Sequence, residues 1–193
     1  MTDDNGHRAR RNDETTVAGQ HRRMRRADRE VTDMEQIGAI LSSCDIVHVS
    51  YQDAEGLAIV PLNLAYEFDS LTGHLTLYFH SAPNGRKIDA IRAAGNALPV
   101  AFATETDCEV TQGRTLCNWG EAFKSIVGIG TASILTAMDE RRKALRLLMA
   151  QQAHIADATF TDNQVLSVTT WKVESDHFTA KVRPKPEPPH SRV

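Results

Sequence analysis

Apolar positions recur along this chain with two different periods, and the changes between them mark the elements. In residues 74–80, HLTLYFH, apolar and polar positions alternate, with Leu75, Leu77 and Phe79 on one side and Thr76, Tyr78 and His80 on the other. That two-residue repeat is the signature of a strand, and it delivers His80 to the face opposite the apolar one. Residues 45–50 (DIVHVS) and 56–68 (GLAIVPLNLAYEF) are rich in β-branched and aromatic residues, and Gln52, Asp53 and Glu55 supply a turn between them. A β-hairpin follows. Residues 98–104, 125–135 and 165–175 (LPVAFAT, SIVGIGTASIL and VLSVTTWKVES) read as further strands.

The helical period appears in three places. Thr32 followed by Glu35 forms a capping box, after which Met34, Ile37, Ile40 and Leu41 share one face. In residues 81–95 (SAPNGRKIDAIRAAG) Ile88 and Ile91 lie one turn apart and Gly95 supplies a stop. Residues 139–153 (DERRKALRLLMAQQA) place Leu145, Leu148 and Met149 inward. Six or seven strands interleaved with short helices predict a mainly β fold, an antiparallel barrel with helical additions. A parallel α/β sheet would need helical crossovers, for which the early strands lie too close together. Gly128 and Gly130 sit inside a β-branched run, where glycines mark a bulge or the close approach of another backbone or a flat ligand. The chain shows no internal repeat.

Composition narrows this picture. Of 193 residues, 41% are apolar and 24% charged, as in an ordinary globular domain, and the net charge is -3. No run approaches the roughly 18 uncharged apolar residues that a membrane-spanning helix needs. The Arg-rich start lacks the apolar core of a secretory signal, so no leader is expected. The small net charge hides a split, because residues 1–29 carry eight Arg against five Asp or Glu. Residues 1–27 lack a hydrophobic period and predict a mobile tail, while the Pro-rich residues 183–193 predict a second, extended one. The domain proper is expected at residues 28–182. Interspersed Asp3, Asp4, Asp13 and Glu14 dilute the field of the basic tail, which argues against nucleic acid or membrane as its partner. Cys44, Cys108 and Cys117 show no CxxC spacing, which fits free thiols in a reducing cytoplasm, although Cys108 and Cys117 could approach across a loop.

The strongest chemical signal is strand, then HSAPNGRK, then helix. A helix N-terminus offers unpaired N–H groups and partial positive charge, and Ser81, Arg86 and Lys87 add what a phosphate monoester requires. Gly85 lets the backbone come close to an anion. Cations in a first helical turn oppose the helix dipole, so their presence favours a bound anion over simple solvation. GxxxxGK[ST], GxSxG and HExxH motifs are all missing, and the eight His show no metal-ligand spacing. Only His80 adjoins the binding-like segment.

Four blocks taken together, MRRADREVTD, IVPLNLAYE, LYFHSAPNGRKIDAI and CNWGEAFKSIVGIGTA, resemble the pyridoxamine 5'-phosphate oxidase-related, FMN-binding split-barrel proteins. Within them the branch of the nitroimidazole-resistance reductases is the most similar. The resemblance covers roughly residues 24–182, with the blocks in the family's order. It implies a split β-barrel that dimerises with two flavins at the interface. By the same resemblance, Val60, Pro61, Leu62 and Asn63 lie along the isoalloxazine ring, Arg86 and Lys87 take the FMN phosphate, and Tyr78, Phe79, His80 and Ser81 line the cofactor's flank. Trp119, Lys124, Ser125 and Ile126 resemble the stretch supplied by the partner subunit. The family's usual Tyr before the basic residue is here Phe123, preceded by Ala122, which removes a hydroxyl.

In that branch the matching His is linked to covalent or redox chemistry near the flavin, which marks His80 as the candidate catalytic residue. An imidazole beside a hydride donor supplies the proton that a reduced nitro or carbonyl group needs. The alternative is that His80 only orients the cofactor. Vitamin B6 oxidation ranks low, because the C-terminal segment with Trp171, Lys172, Lys181 and Arg183 lacks the oxidase's Arg-rich ending. The leading expectation is an FMN-dependent reductase of small electron-poor organic molecules, nitroaromatics among them, reduced by a transiently docking nicotinamide. The competing one is a non-catalytic protein that stores or senses flavin or haem, with a deazaflavin as a further cofactor alternative.

Overall fold

Asp33, not Thr32, starts the first helix. Its side chain accepts a hydrogen bond of 2.7 Å from the Gln36 N–H. This corrects the expected Thr32–Glu35 capping box by one residue, and it leaves Met34 39% exposed rather than inward. The computed structural model describes residues 24–186. The predicted tails at 1–27 and 183–193 therefore fall largely outside the described residues.

In chain order the elements are β1 (Glu30–Val31), α1 (Met34–Ser42), β2 (Ile46–Asp53), β3 (Gly56–Asn63), β4 (Ala65–Asp69), β5 (His74–Ser81) and α2 (Arg86–Ala93), followed by β6 (Leu98–Thr111), β7 (Gly120–Ile134), α3 (Met138–Ala153), α4 (Asp162–Leu166) and β8 (Thr169–Arg183). One eight-stranded sheet runs β3-β2-β6-β7-β8-β5-β4, with β1 on β8, and every pairing is antiparallel. The mainly β class is as expected, with one strand more than the six or seven read from the pattern.

The segment expected as a single strand over 56–68 divides at Leu64, which is fully buried. Its N–H reaches back 3.3 Å to the Asp45 carbonyl. The break matters because β3 and β4 are the two ends of the sheet path and do not pair with each other. The barrel is thus split along a seam between them, and β3 keeps one backbone edge unpaired by the sheet.

Two apolar clusters flank the sheet. The larger fills the barrel, from Ile37, Ile40 and Leu41 of α1 to Ile88 and Ile91 of α2, with Phe79 stacked on Trp171 at 4.3 Å between ring centroids. The smaller lies outside, where Ala144, Leu145 and Leu148 of α3 and Val165 of α4 cover Ala65 and Tyr78. Because α3 covers that outer face, Thr76 and Tyr78 are buried as well, and the two-sided burial of β5 ends only at exposed His80. The strand expected over 165–175 begins late: Thr161 and Gln164 form a capping box, Val165 and Leu166 turn with α4, and β8 starts at Thr169.

Candidate functional site

The α2 N-terminus is built as an anion seat would be. Gly85 is the N-cap with φ of 140°, a conformation that needs glycine, and no side chain caps the first N–H groups. No atom lies within 4 Å of the place where a Gly85 Cβ would stand, so the backbone is open to approach. Lys87 is half-buried, shares a small interior void with Tyr51 and Val60, and has no ion pair among the described residues.

Arg86 is engaged. Its Nε and Nη2 each donate 2.8 Å hydrogen bonds to the two carboxylate oxygens of Asp53, and Nη2 also donates to the Gly56 carbonyl at 3.1 Å. Hydrogen bonds from Arg86 hold the Asp53 carboxyl below its ordinary range, against a smaller opposing effect of burial. The ion pair ties the tip of the β2–β3 hairpin to the start of α2. It thereby brings the Gly56 end of β3 to the start of α2; Val60 borders the void that Lys87 lines, while Asn63, paired with Ile46, lies at the far end of the strand. Sequence reasoning missed Asp53, which lies 33 residues from its partner and is noticeable only as a turn residue.

His80 faces elsewhere. With Leu145, Leu148, Met149, Phe160, Gln164 and Val168 it lines a mainly apolar cavity of about 230 Å³ under α3 and α4. The remaining candidates divide by burial. Phe79 and Ile126 are fully buried in the barrel core, so only their backbone faces outward chemistry. The Tyr78 hydroxyl donates to Glu67 at 2.6 Å under α3. Ser81, 9% exposed, accepts a 3.1 Å hydrogen bond from the Trp171 indole and keeps its own proton to donate. Pro61 and Asn63 point outward from β3 while Val60 and Leu62 are half-buried.

Trp119, Lys124 and Ser125 stand at the other end of the molecule. Lys124 pairs with Asp107 at 2.7 Å and sits opposite Thr106, whose hydroxyl reaches the Ser43 carbonyl just before β2 begins. Arg86 is bound at the far end of the same strand, seven residue steps away, or about 23 Å at strand rise. One chain therefore does not bring Arg86 and Lys87 together with Trp119, Lys124 and Ser125.

Among the described residues, no cluster of three or more His, Cys, Asp or Glu is placed to hold a metal ion, and no helix is long and apolar enough to cross a membrane. All three cysteines are free, Cys44 buried and the other two exposed.

The family model for pyridoxamine 5'-phosphate oxidase matches residues 33–182, and the chain belongs to that family. Its fold is shared by a candidate 5-nitroimidazole antibiotic resistance protein from Bacteroides thetaiotaomicron, at 29% identity and a TM-score of 0.62 over 79% of this chain and 86% of that one. A FAD and heme binding protein from Mycobacterium smegmatis matches at 17% identity and a TM-score of 0.66, over 83% and 76% of the two chains. The flavocytochrome Anf3 from Azotobacter vinelandii matches at 17% and 0.69, over 84% and 73%. No curated protein matches the sequence.

Proposed function

We propose that this chain is a flavin-dependent oxidoreductase, with FMN as the flavin, that reduces small electron-poor organic molecules such as nitroaromatics in the cytoplasm. The observation that carries the reading is the uncapped α2 N-terminus with Lys87 and with Arg86 tied to the Gly56 end of β3, an edge strand of the sheet. The donor set suits a flavin phosphate: the first turn of α2 offers N–H groups without a side-chain cap, and it carries Lys87 and an Arg86 whose Nη1 edge is unused. The backbone groups of Val60–Leu62 are then the donors and acceptors for a flat heterocycle's polar edge. When bound, the flavin supplies the hydride chemistry.

The chain's own residues do the rest. The His80 cavity is lined mainly by apolar side chains and, at about 230 Å³, is smaller than the usual range for drug-sized ligands, so it admits one small ring. In this reading His80 is the proton source for a reduced nitro or carbonyl oxygen, which requires the flavin held at the α2 terminus to extend its reactive edge to the His80 cavity. Membership in the family and the 29% identity to the Bacteroides protein support the assignment. The same reading makes the protein a homodimer, in which Trp119, Lys124 and Ser125 of one subunit approach the flavin held by the other, with a nicotinamide as transient electron donor.

The test is anaerobic addition of NADH or NADPH to the FMN-loaded protein, followed by a nitroimidazole. Bleaching of the flavin by one nicotinamide and its return on adding the nitro compound are expected. A flavin that neither nicotinamide bleaches overturns the reading, and a purified protein with a single intense Soret band favours haem storage instead.

A further inference from the structure

We infer that Asp53 is the positioning residue of the phosphate seat: through Arg86 it sets where the guanidinium stands. The inference rests on the reading of the α2 N-terminus as the seat of the flavin phosphate. Asp53 is itself fixed first. Its Oδ1 accepts a 2.9 Å hydrogen bond from the Glu55 N–H, the local turn that closes the β2–β3 hairpin. Its side chain is only 14% exposed, against 38% for Arg86. A short, locked carboxylate therefore holds a long, mobile cation, and not the reverse.

The geometry leaves Arg86 able to serve a second partner. A guanidinium carries five N–H groups in one plane. Nε uses one and Nη2 uses two, on Asp53 and the Gly56 carbonyl, which leaves both N–H groups of Nη1 without a partner among the described residues. Holding one edge of the fork orders the other in advance, so an anion that meets Nη1 does not have to pay the rotamer entropy of a free Arg. The same bond spans the seam between hairpin and helix.

Two physical pictures predict opposite outcomes for Asp53→Asn. If Asp53 acted only as a nearby negative charge, removing it would tighten the binding of a phosphate dianion. If it positions Arg86, the amide loses one of the two acceptors, the fork is released, and binding weakens. Asn keeps an oxygen for the Glu55 N–H, so the turn survives.

The experiment compares FMN with riboflavin, which lacks the phosphate, on the full chain by fluorescence titration. Wild type is expected to hold FMN more tightly than riboflavin. Asp53→Asn is expected to weaken FMN by about tenfold, the loss of one charge-assisted hydrogen bond, and to leave riboflavin unchanged. In an Arg86→Ala background the Asp53→Asn change should add nothing further, since it acts through that side chain. Asp53→Asn binding FMN as tightly as wild type or better, weakening both ligands equally, or adding its full effect without Arg86 would each overturn the inference while the phosphate seat stands. Equal affinity of wild type for FMN and riboflavin would instead remove the seat itself, and the inference with it.

Discussion

Glu67 shows how much of this fold's anchoring rests on single oxygens. Its Oε2 accepts hydrogen bonds of 2.6 Å from both the Tyr78 hydroxyl of β5 and the Lys143 ammonium of α3, so one carboxylate joins strand, strand and helix. Burial pushes the Glu67 carboxyl up, but the hydrogen bonds from Lys143 and Tyr78 outweigh it and leave the group below its ordinary value of 4.5. Burial first, then the bond to Glu67, pushes Tyr78 well above its ordinary 10.0. The signs give a window. A lowered carboxyl stabilises the fold above pH 4.5 and loses that contribution as the pH falls through its folded value, while a raised phenol stabilises it below pH 10 and loses it above. Glu67→Gln should lower stability at neutral pH by about 1 kcal/mol, a modest value because the 43% exposed carboxylate is screened by water. The check is the thermal midpoint at pH 7 and pH 4. Wild type should lose more than the variant between the two, and an equal loss in both would place the acid sensitivity elsewhere. Nothing in the local pattern around Glu67 announces this role, since it needs a lysine 76 residues later.

At the level of elements, β5 is a strand as its alternation predicts even though α3 covers its second face, and the strand pattern misleads where the chain leaves the sheet, at Leu64 and at Val165–Leu166. Val165 and Leu166 look like strand residues because a short apolar run has no period of its own, and only the Thr161–Gln164 capping box reveals the helix. The break at Leu64 was equally hidden, because the chain changes sheet edges there without a glycine or proline to mark it. The paired glycines were legible. The β7–β8 register shifts between Ile129 and Thr131, and a Cβ on Gly130 would stand 2.4 Å from the Glu174 carbonyl oxygen. At Gly128 the nearest obstacle is the Phe102 ring at 2.5 Å, a side chain that can turn, with the less mobile Phe178 Cβ at 2.7 Å. Gly130→Ala is therefore expected to destabilise by about 1–3 kcal/mol and more than Gly128→Ala, because backbone cannot give way as a ring can. Urea unfolding of both variants measures this, and a larger loss for Gly128→Ala would show that the bulge, rather than the Phe102 contact, is the compliant part.

At the scale of the molecule, the outer face of the sheet carries apolar side chains that this chain does not cover. Two registered rows cross four strands, Ile59–Ser50–Ala101–Ile129 and Pro61–His48–Ala103–Val127. Ile59, Val127 and Ile129 are 65%, 52% and 59% exposed, and Leu57 beside them 79%. Exposed apolar side chains gathered on one face in this way, around Ser50 and His48, mark a surface for a partner. The two halves of the candidate site ask for the same partner. Arg86 and Lys124 lie at opposite ends of β2, about 23 Å apart along the strand, and a twofold axis through this face would turn one chain's Lys124 end toward the other's Arg86 end. The resemblance to dimeric flavoproteins pointed to that division from the sequence, but the exposed rows depend on strand register, which no local pattern contains. Ile129→Glu places a charge at the centre of the face without touching the barrel core or the Arg86–Asp53 pair. It should convert a dimer into a monomer in light scattering, make the thermal midpoint independent of protein concentration, and sharply reduce the FMN retained per chain. A variant that stays dimeric would move the interface to another surface, and a monomer that retains FMN fully would show that one chain completes the site alone.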